Sequence, residues 1–278
     1  MISFLDALAN PAVPFIRFAL LAGILSSAGF GMIGSLVVVK RISYIAGAVS
    51  HATLAGLGFA LYMNEVHGTS IQPLLGAVVA SLLAALIIAL VSRRKQERED
   101  TIIGTIWAVG MGLGMLFIAR TPGYVDPMSY LFGNILLLTA SDIYIIIALD
   151  IVVVASCLLF YNQFQAIAFD EEFARSRGLH TGFFEIYLIL LTALTVVLMV
   201  STVGIVMVIA LLTIPSAVSG MLTKRLWKMM LLSVVFCMLF NTAGLAASYS
   251  LDMPTGPVTI VLAGGVYLVM KLVVRRQS

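Results

Sequence analysis

The sequence predicts an all-α, polytopic membrane protein, and three observations together predict this fold class. Hydrophobic residues make up 61% of the 278-residue chain and charged residues only 10%, whereas a soluble domain carries about 25% charged residues. Apolar runs long enough to cross a bilayer as helices repeat along the chain. Basic residues gather between those runs, and these loops account for the net charge of +3. We therefore expect a lipid bilayer around the chain and no nucleic-acid partner.

Nine apolar runs are predicted to span the membrane within one domain that covers residues 1–278. Each run is close to or above the roughly 20 residues that a spanning helix needs. The weakest boundary is a tight hairpin at 202–204, and the count falls to eight if the chain does not turn there. The predicted spans are 14–39, 43–64, 72–92, 101–119, 142–161, 184–201, 203–222, 229–248 and 256–274.

The basic residues predict the orientation of these spans. Of the 16 Lys and Arg residues, only Arg17 and Arg120 stand alone, and the others form five clusters. Loops rich in Lys and Arg lie on the cytoplasmic face of a membrane. Nine alternating spans place all five clusters on one face, so we expect the N-terminus outside and the C-terminus inside. The clusters are Lys40-Arg41, the group within 93–98, Arg175 with Arg177, Lys224-Arg225 with Lys228, and Lys271 with Arg275-Arg276.

The segment 127–139 is apolar but too short to cross the membrane. We interpret it as a short re-entrant or interfacial helix on the outer side, covered by protein because lipid cannot satisfy irregular backbone. Ser141 or Asp142 then serves as the N-cap of the fifth span.

The segment Asp170 to Leu179 carries the start and stop signals of a short helix in a cytoplasmic loop. Asp170 suits the N-cap, and Gly178 suits the left-handed position after the last turn. Two acidic residues lie near the first turn and two basic residues near the last, as the helix dipole favours. A solvated connector is the plain alternative, but so complete a set of signals favours a helix that docks on a partner. The charged residues are Glu171, Glu172, Arg175 and Arg177.

Two ionisable residues lie within predicted spans, where such groups are costly and usually functional. His51 lies about two turns into the second span, and Asp150 about two turns into the fifth. Imidazole and carboxylate groups are common metal ligands, so both residues are candidate contacts for a transported divalent metal. Each has a structural alternative, a hydrogen bond to a neighbouring helix. The competing functional hypothesis is an ion-coupled secondary transporter in which His51 and Asp150 relay protons.

Other residues are candidates for helix packing or for lining the transport pathway. Pro215 is expected to break or kink the seventh span, and Asn241 to hydrogen-bond across helices. Glycines are dense in the first two spans and let helices approach closely. The sequence has no Gly-rich phosphate-binding motif and no nucleophile–base pair, so we expect a transport protein rather than an enzyme. The glycines are Gly29, Gly31, Gly34, Gly47, Gly56 and Gly58.

Four stretches in order resemble motifs of the permease subunits of zinc, manganese and iron ABC importers. The resemblance covers essentially the whole chain. Siderophore and cobalamin permeases fit less well, because they lack the Ser50-His51 motif. The stretches are Val39-Lys-Arg-Ile-Ser-Tyr-Ile-Ala-Gly-Ala-Val-Ser-His-Ala-Thr-Leu-Ala-Gly56, Met128-Ser-Tyr-Leu-Phe-Gly-Asn134, Asp170-Glu-Glu-Phe-Ala-Arg-Ser-Arg-Gly-Leu179 and Val203-Gly-Ile-Val-Met-Val-Ile-Ala-Leu-Leu-Thr-Ile-Pro-Ser216.

The resemblance implies a set of partners in a bacterial or archaeal cytoplasmic membrane. Two permease subunits pair around a central pathway, ATPase subunits that hydrolyse ATP dock on the cytoplasmic coupling helices, and an outer binding protein delivers the metal. No cofactor is bound permanently. Residues implied in ATPase coupling are Asp170, Glu171, Phe173, Arg175, Arg177 and Gly178, and those implied in the pathway or its packing are Gly47, Ser50, Pro215 and Asn241.

The sequence departs from the family pattern at Gly47. Many members carry Asp at this position, four residues before the motif histidine. The absence of an oxygen ligand shifts the expectation from manganese toward zinc, whose sites are richer in nitrogen and sulfur. The alternative is that another helix supplies the oxygen, and manganese and iron stay open as cargo.

Overall fold

Ten helices account for nearly all of the chain that the computed structural model describes, which is residues 14–92, 99–123 and 139–275 with Phe4, Leu8, Leu131 and Phe132. No strand occurs among these residues. The helices are α1 (Pro14–Lys40), α2 (Ser43–His67), α3 (Pro73–Ser92), α4 (Glu99–Arg120), α5 (Ala140–Leu159), α6 (Tyr161–Phe169), α7 (Glu171–Ser176), α8 (Thr181–Leu222), α9 (Leu226–Leu251) and α10 (Thr255–Arg275).

The all-α polytopic fold class is confirmed. Nine helical segments within the described ranges are long and apolar enough to cross a membrane. Seven of them coincide with a helix to within one residue, and α8 supplies two, Thr181–Leu198 and Gly204–Leu222. The two most buried segments belong to α1 and α2, whereas α10 is buried least. The bundle is therefore built around α1 and α2, with α10 at its periphery.

The chain reverses direction within α8 at Gly204, whose φ of 79° and ψ of 164° lie outside the helical region. An ideal Cβ on Gly29 of α1 would lie 3.2 Å from Leu198, and one on Gly34 would touch the carbonyl oxygen of Leu212. A straight helix would carry Leu212 about 21 Å beyond Leu198. Gly34 is only five residues from Gly29, so the second half of α8 runs back beside the first. The nine-span interpretation, with its hairpin at 202–204, accordingly holds.

Helix α1 packs against four other helices. Three of its glycines face different neighbouring helices, because each residue is rotated by about 100° around the helix axis from the one before it. Gly29 meets Asp150 of α5, Gly31 meets the backbone of Val234 in α9, and Gly34 meets the second half of α8. Any Cβ at Gly31 or Gly34 would overlap backbone atoms of the neighbour, so these glycines allow the close packing that their density predicted.

Lys40 at the end of α1 forms ion pairs with Glu171 of α7 and Glu185 near the start of α8, so these elements meet at one end of the bundle, which we call the basic end. It holds the C-terminus of α1, helix α7 and the turn between α8 and α9. At the opposite end, Gln72 Nε2 donates to Asp142 Oδ1 at 3.1 Å and joins the starts of α3 and α5. Successive spanning helices thus run in alternating directions between the two ends of the bundle, as the charge pattern predicted.

Two predicted boundaries were wrong. Helix α5 begins at Ala140, with Thr139 rather than Ser141 or Asp142 as its N-cap, and Asp142 completes a capping box as the third residue of the helix. The predicted fifth span, 142–161, runs past the end of α5 at Leu159, and a separate helix, Tyr161–Phe169, follows it. Most of the predicted outer helix at 127–139 lies outside the described residues.

The predicted break at Pro215 does not occur, because backbone angles in α8 leave the helical region only at Gly204, and the alternative, a kink, stays a prediction. Pro215 lacks an N–H and leaves the carbonyl of Leu211 without its usual helical donor. The helix nevertheless continues, and Ser219 Oγ donates to the Pro215 carbonyl at 2.8 Å.

Candidate functional site

His51 lies on the buried face of α2 and is only 8% exposed. Its Nδ1 is 3.0 Å from the carbonyl oxygen of Gly47, one turn earlier in the same helix. A carbonyl oxygen can only accept, so Nδ1 carries the proton in this hydrogen bond and Nε2 holds the lone pair. Metal-binding histidines are commonly oriented by a hydrogen bond of this kind from the other ring nitrogen. The local helix geometry therefore orients the ring and leaves the Nε2 lone pair outside this hydrogen bond.

Trp107 of α4 covers one face of the His51 ring. The ring centroids are 4.4 Å apart and the ring planes differ by 27°. An ideal Cβ on Gly47 would lie 2.9 Å from Trp107 Cζ3, closer than real Cβ contacts come. The indole thus fills the space that a side chain at position 47 would need. Sequence reasoning did not single out Trp107, and nothing local in the sequence indicates which helix it faces.

Close packing of α4 on α2 fixes the position of this indole. An ideal Cβ on Gly110 would be 2.7 Å from Ala52 Cα, and one on Gly114 would be 2.6 Å from Leu54 Cγ. The two helices therefore touch along their backbones on the side of Trp107 away from the basic end.

Asp150, the other predicted metal ligand, lies in a different contact. Its Oδ1 accepts a hydrogen bond from the Gly29 N–H at 2.9 Å. In the described part of the chain, no hydrogen bond or ring contact joins Asp150 to His51. Nor do three or more His, Cys, Asp or Glu side chains gather there as a metal-binding group. Among the described residues, His51 therefore stands apart from other groups that commonly bind metals.

The segment Asp170 to Gly178 has the predicted capping signals. Asp170 Oδ1 accepts from the Phe173 N–H at 2.9 Å, and Gly178 has the left-handed φ of 84°. Arg175 pairs with Glu171 at 2.8 Å. Helix α7 is a short, complete helix at the basic end, as the sequence predicted.

The outward face of α7 is aromatic and basic. Phe173 is 56% exposed, and the Arg177 guanidinium lies 5.2 Å from the centre of its ring. Ala174, on the other face, is buried against the bundle. The helix therefore presents an aromatic side chain and its neighbouring charge away from the protein.

A family model described as the ABC 3 transport family matches residues 12–274 of this chain. The chain belongs to the ABC 3 transport family. It is accordingly a multi-pass membrane protein of an ABC transport system, as the resemblance of its four motifs implied.

Known proteins similar to this ABC 3 family member span nearly its whole length. A probable metal transport system membrane protein of Chlamydia pneumoniae is 34% identical, over 93% of this chain and 88% of the relative. The manganese transport system membrane protein MntC of Listeria monocytogenes is 30% identical, over 95% of this chain and 92% of the relative. Among solved structures, PsaBC from Streptococcus pneumoniae in complex with Fab matches with a TM-score of 0.84 and 27% identity, covering 96% of this chain and 94% of that one.

Ser50 and Asn241 of this ABC 3 family member make contacts that hold helices in shape. Ser50 Oγ donates to the carbonyl of Ala46 within α2 at 2.7 Å. Asn241 Nδ2 donates to the Gly23 carbonyl at 3.0 Å and lies 3.2 Å from Ser27 Oγ, so it bonds from α9 to α1 as expected. A pathway role for either residue stays a prediction.

Proposed function

We propose that this chain is the membrane-spanning permease subunit of an ATP-driven importer of a divalent transition metal, and that His51 contacts the metal in transit. The observation that carries the proposal is a buried imidazole within a spanning helix of an ABC 3 family member, oriented by the Gly47 carbonyl. An isolated intramembrane ionisable group with an oriented ring nitrogen is expected to have a function.

The proposal assigns the two ends of the bundle to the two sides of a prokaryotic cytoplasmic membrane. The basic end faces the cytoplasm by the positive-inside rule, with the C-terminus inside and the N-terminus outside. A separate ATPase subunit docks there on Asp170 to Gly178. A metal-binding protein delivers its cargo at the opposite end.

Membership of an ABC family favours ATP-driven transport over the proton relay considered as an alternative. The contact of Asp150 with Gly29 supports helix packing as the role of that carboxylate. We therefore assign the metal contact to His51 and assign Asp150 to the junction of α1 and α5.

A homodimer completes the metal site in this proposal. Zinc takes four ligands in most protein sites, and one chain offers a single oriented imidazole. Two-fold pairing brings a second copy of each group to a shared axis. The pathway in this proposal therefore lies between two copies of the chain, and each copy contributes one His51 to the shared site.

Two metals are the leading candidates. The ligand set favours zinc, because imidazole is present and position 47 carries no carboxylate. The manganese transport proteins among the relatives favour manganese. Uptake of each metal under competition decides between them.

The test reconstitutes the chain in vesicles with its co-purifying ATPase and the binding protein, and measures ATP-dependent uptake of radioactive zinc and manganese. We expect uptake of at least one metal and its loss in His51→Ala. The matched control is His180→Ala, because that exposed histidine makes no capping hydrogen bond with its side chain. Full uptake by His51→Ala at limiting metal contradicts the role of His51, and uptake without ATP contradicts the class of transporter.

A further inference from the structure

Three side-chain positions meet at the surface between α2 and α4. The imidazole of His51, the indole of Trp107 and the Cα of Gly47 lie together, with the indole against both of the others. Positions 47 and 51 are one helical turn apart and share a face. Any side chain at 47 would stand beside the imidazole, in the volume that the indole fills.

The indole has little freedom to leave this place. Backbone contacts at Gly110 and Gly114 hold α4 against α2 one and two turns further along. The stack with His51 holds one face of the indole, while 37% of the Trp107 surface is exposed on this chain. A larger residue at 47 therefore requires the indole to shift or be removed, or α4 to be displaced.

We propose that Trp107 is a specificity-determining residue of the His51 site, an inference that rests on the proposed transport function. By filling the space at position 47, Trp107 keeps a carboxylate from standing beside the His51 ring. Hard cations such as Mn²⁺ prefer oxygen donors, whereas zinc binds imidazole well. The site thus offers a nitrogen donor and an aromatic wall, and discriminates against manganese in favour of zinc.

A purely structural role for Trp107 has different consequences. If the indole only packs α4 on α2, its removal lowers the amount of folded protein and decreases uptake of both metals by the same factor. If it sets specificity, its removal together with an added carboxylate changes the ratio of manganese to zinc uptake.

The experiment compares the wild-type chain with Gly47→Asp, Trp107→Ala and the double variant, each reconstituted with the ATPase and the binding protein. Gly47→Asp alone is expected to be thermally destabilised and poorly active, because its side chain meets the indole. The double variant is expected to recover folding. It should raise the manganese-to-zinc uptake ratio about tenfold over wild type, equivalent to about 1.4 kcal/mol in relative binding.

Two matched variants isolate the steric part of the proposal. Gly47→Ala adds only the clashing Cβ, and Gly112→Ala adds a Cβ on α4 where nothing lies within 4 Å. Gly47→Ala should lower the melting temperature, Trp107→Ala should relieve that loss, and Gly112→Ala should leave the melting temperature unchanged.

The outcomes separate this proposal from the proposed function. A wild-type complex that transports neither metal contradicts the function, while the melting temperatures still report whether Trp107 excludes a side chain at 47. Unchanged uptake ratio in a well-folded double variant overturns the specificity role. Normal stability of Gly47→Ala and of Gly47→Asp, with Trp107 in place, overturns the steric premise.

Discussion

Lys40 Nζ lies 2.7 Å from a carboxylate oxygen of Glu185. Lys40 ends α1, Glu185 lies in the second turn of α8, and Glu171 of α7 approaches the same ammonium at 3.8 Å. The Lys40 side chain is 12% exposed and that of Glu185 27%, so water screens this ion pair less than it screens most surface pairs. One ammonium therefore joins α7 to two spanning helices.

Replacing Lys40 by Met should loosen α7 from the bundle while keeping the length of the side chain. Removing one partner of a partly buried ion pair leaves the other charge without its partner, here the Glu185 carboxylate, so we expect a lower melting temperature and weaker stimulation of ATP hydrolysis by metal. The measurements are thermal unfolding and ATPase activity in the reconstituted complex. Lys228→Met is the control, because Lys228 is exposed and lies over Trp227.

A double-mutant cycle of Lys40→Met with Glu185→Gln tests whether the ion pair between these two residues accounts for the loss of stability. Residues in direct contact give non-additive changes in stability. Additive losses for Lys40→Met and Glu185→Gln show that the two residues do not interact.

The features that sequence predicted well are local ones. Length and hydropathy predict the apolar spans, and Asp170 and Gly178 mark helix α7 because capping depends on residues a few positions apart. The hairpin at Gly204 was predicted because the charge clusters require a reversal there. The N-cap of α5 was missed because Thr139, Ser141 and Asp142 are all suitable capping residues, and only the capping box in the fold selects Thr139.

The features that sequence did not predict depend on which helices are neighbours. His51 is identifiable as an ionisable residue in an apolar run, but its stack with Trp107 requires α4 to lie on α2. Asp150 was equally conspicuous, yet its partner is a backbone N–H at Gly29, 121 residues away.

Helix α6 was missed because Asn162, Gln163 and Gln165 end the apolar run of α5. Its buried side chains, Phe164 and Ile167, become evident only in the fold.

Gly31→Ala should destabilise the bundle, whereas Gly112→Ala should not. A Cβ at Gly31 would overlap the backbone of Val234, and a Cβ at Gly112 meets nothing within 4 Å. Overpacking of this kind costs about 1–3 kcal/mol. Thermal unfolding in detergent measures the difference, and equal melting temperatures for the two variants exclude tight packing of α1 against α9.

Asp150→Asn should keep metal uptake close to wild type, because an amide oxygen can still accept the hydrogen bond from Gly29. Asp150→Leu removes that acceptor and should lower both stability and uptake. Vesicle uptake and melting temperature together separate the two roles. Loss of transport by a stable Asp150→Asn protein indicates that the carboxylate itself takes part in transport, as a metal ligand or in a proton relay.

The intact complex should contain two copies of this chain. Native mass spectrometry of the complex, purified with its ATPase, measures the stoichiometry directly. A complex with one copy of this chain for each pair of ATPases, and no other permease, rules out the shared pathway. Mixed complexes that contain one wild-type and one His51→Ala chain should show reduced uptake, because each copy contributes one imidazole.

Phe173→Ala should weaken docking of the ATPase without altering the opposite end of the bundle. Phe173 is 56% exposed on the outward face of α7, and aromatic anchors dominate many interfaces. A loss of about 2 kcal/mol, typical of such an anchor, weakens binding about thirtyfold. The measurement is a titration of the permease with ATPase, and the control is Phe59→Ala, an exposed phenylalanine on α2.

Gly178→Pro tests the same segment through its backbone. Proline requires φ near −65°, whereas Gly178 has φ of 84° and its N–H donates to the Arg175 carbonyl at 3.0 Å. The substitution should misplace α7 and separate ATP hydrolysis from metal uptake, because a coupling segment must hold its shape while it transmits motion. Both rates are measured in the same vesicles, and binding of the metal-loaded binding protein should be unchanged. Wild-type docking and wild-type uptake in both Phe173→Ala and Gly178→Pro mean that α7 is only a connector.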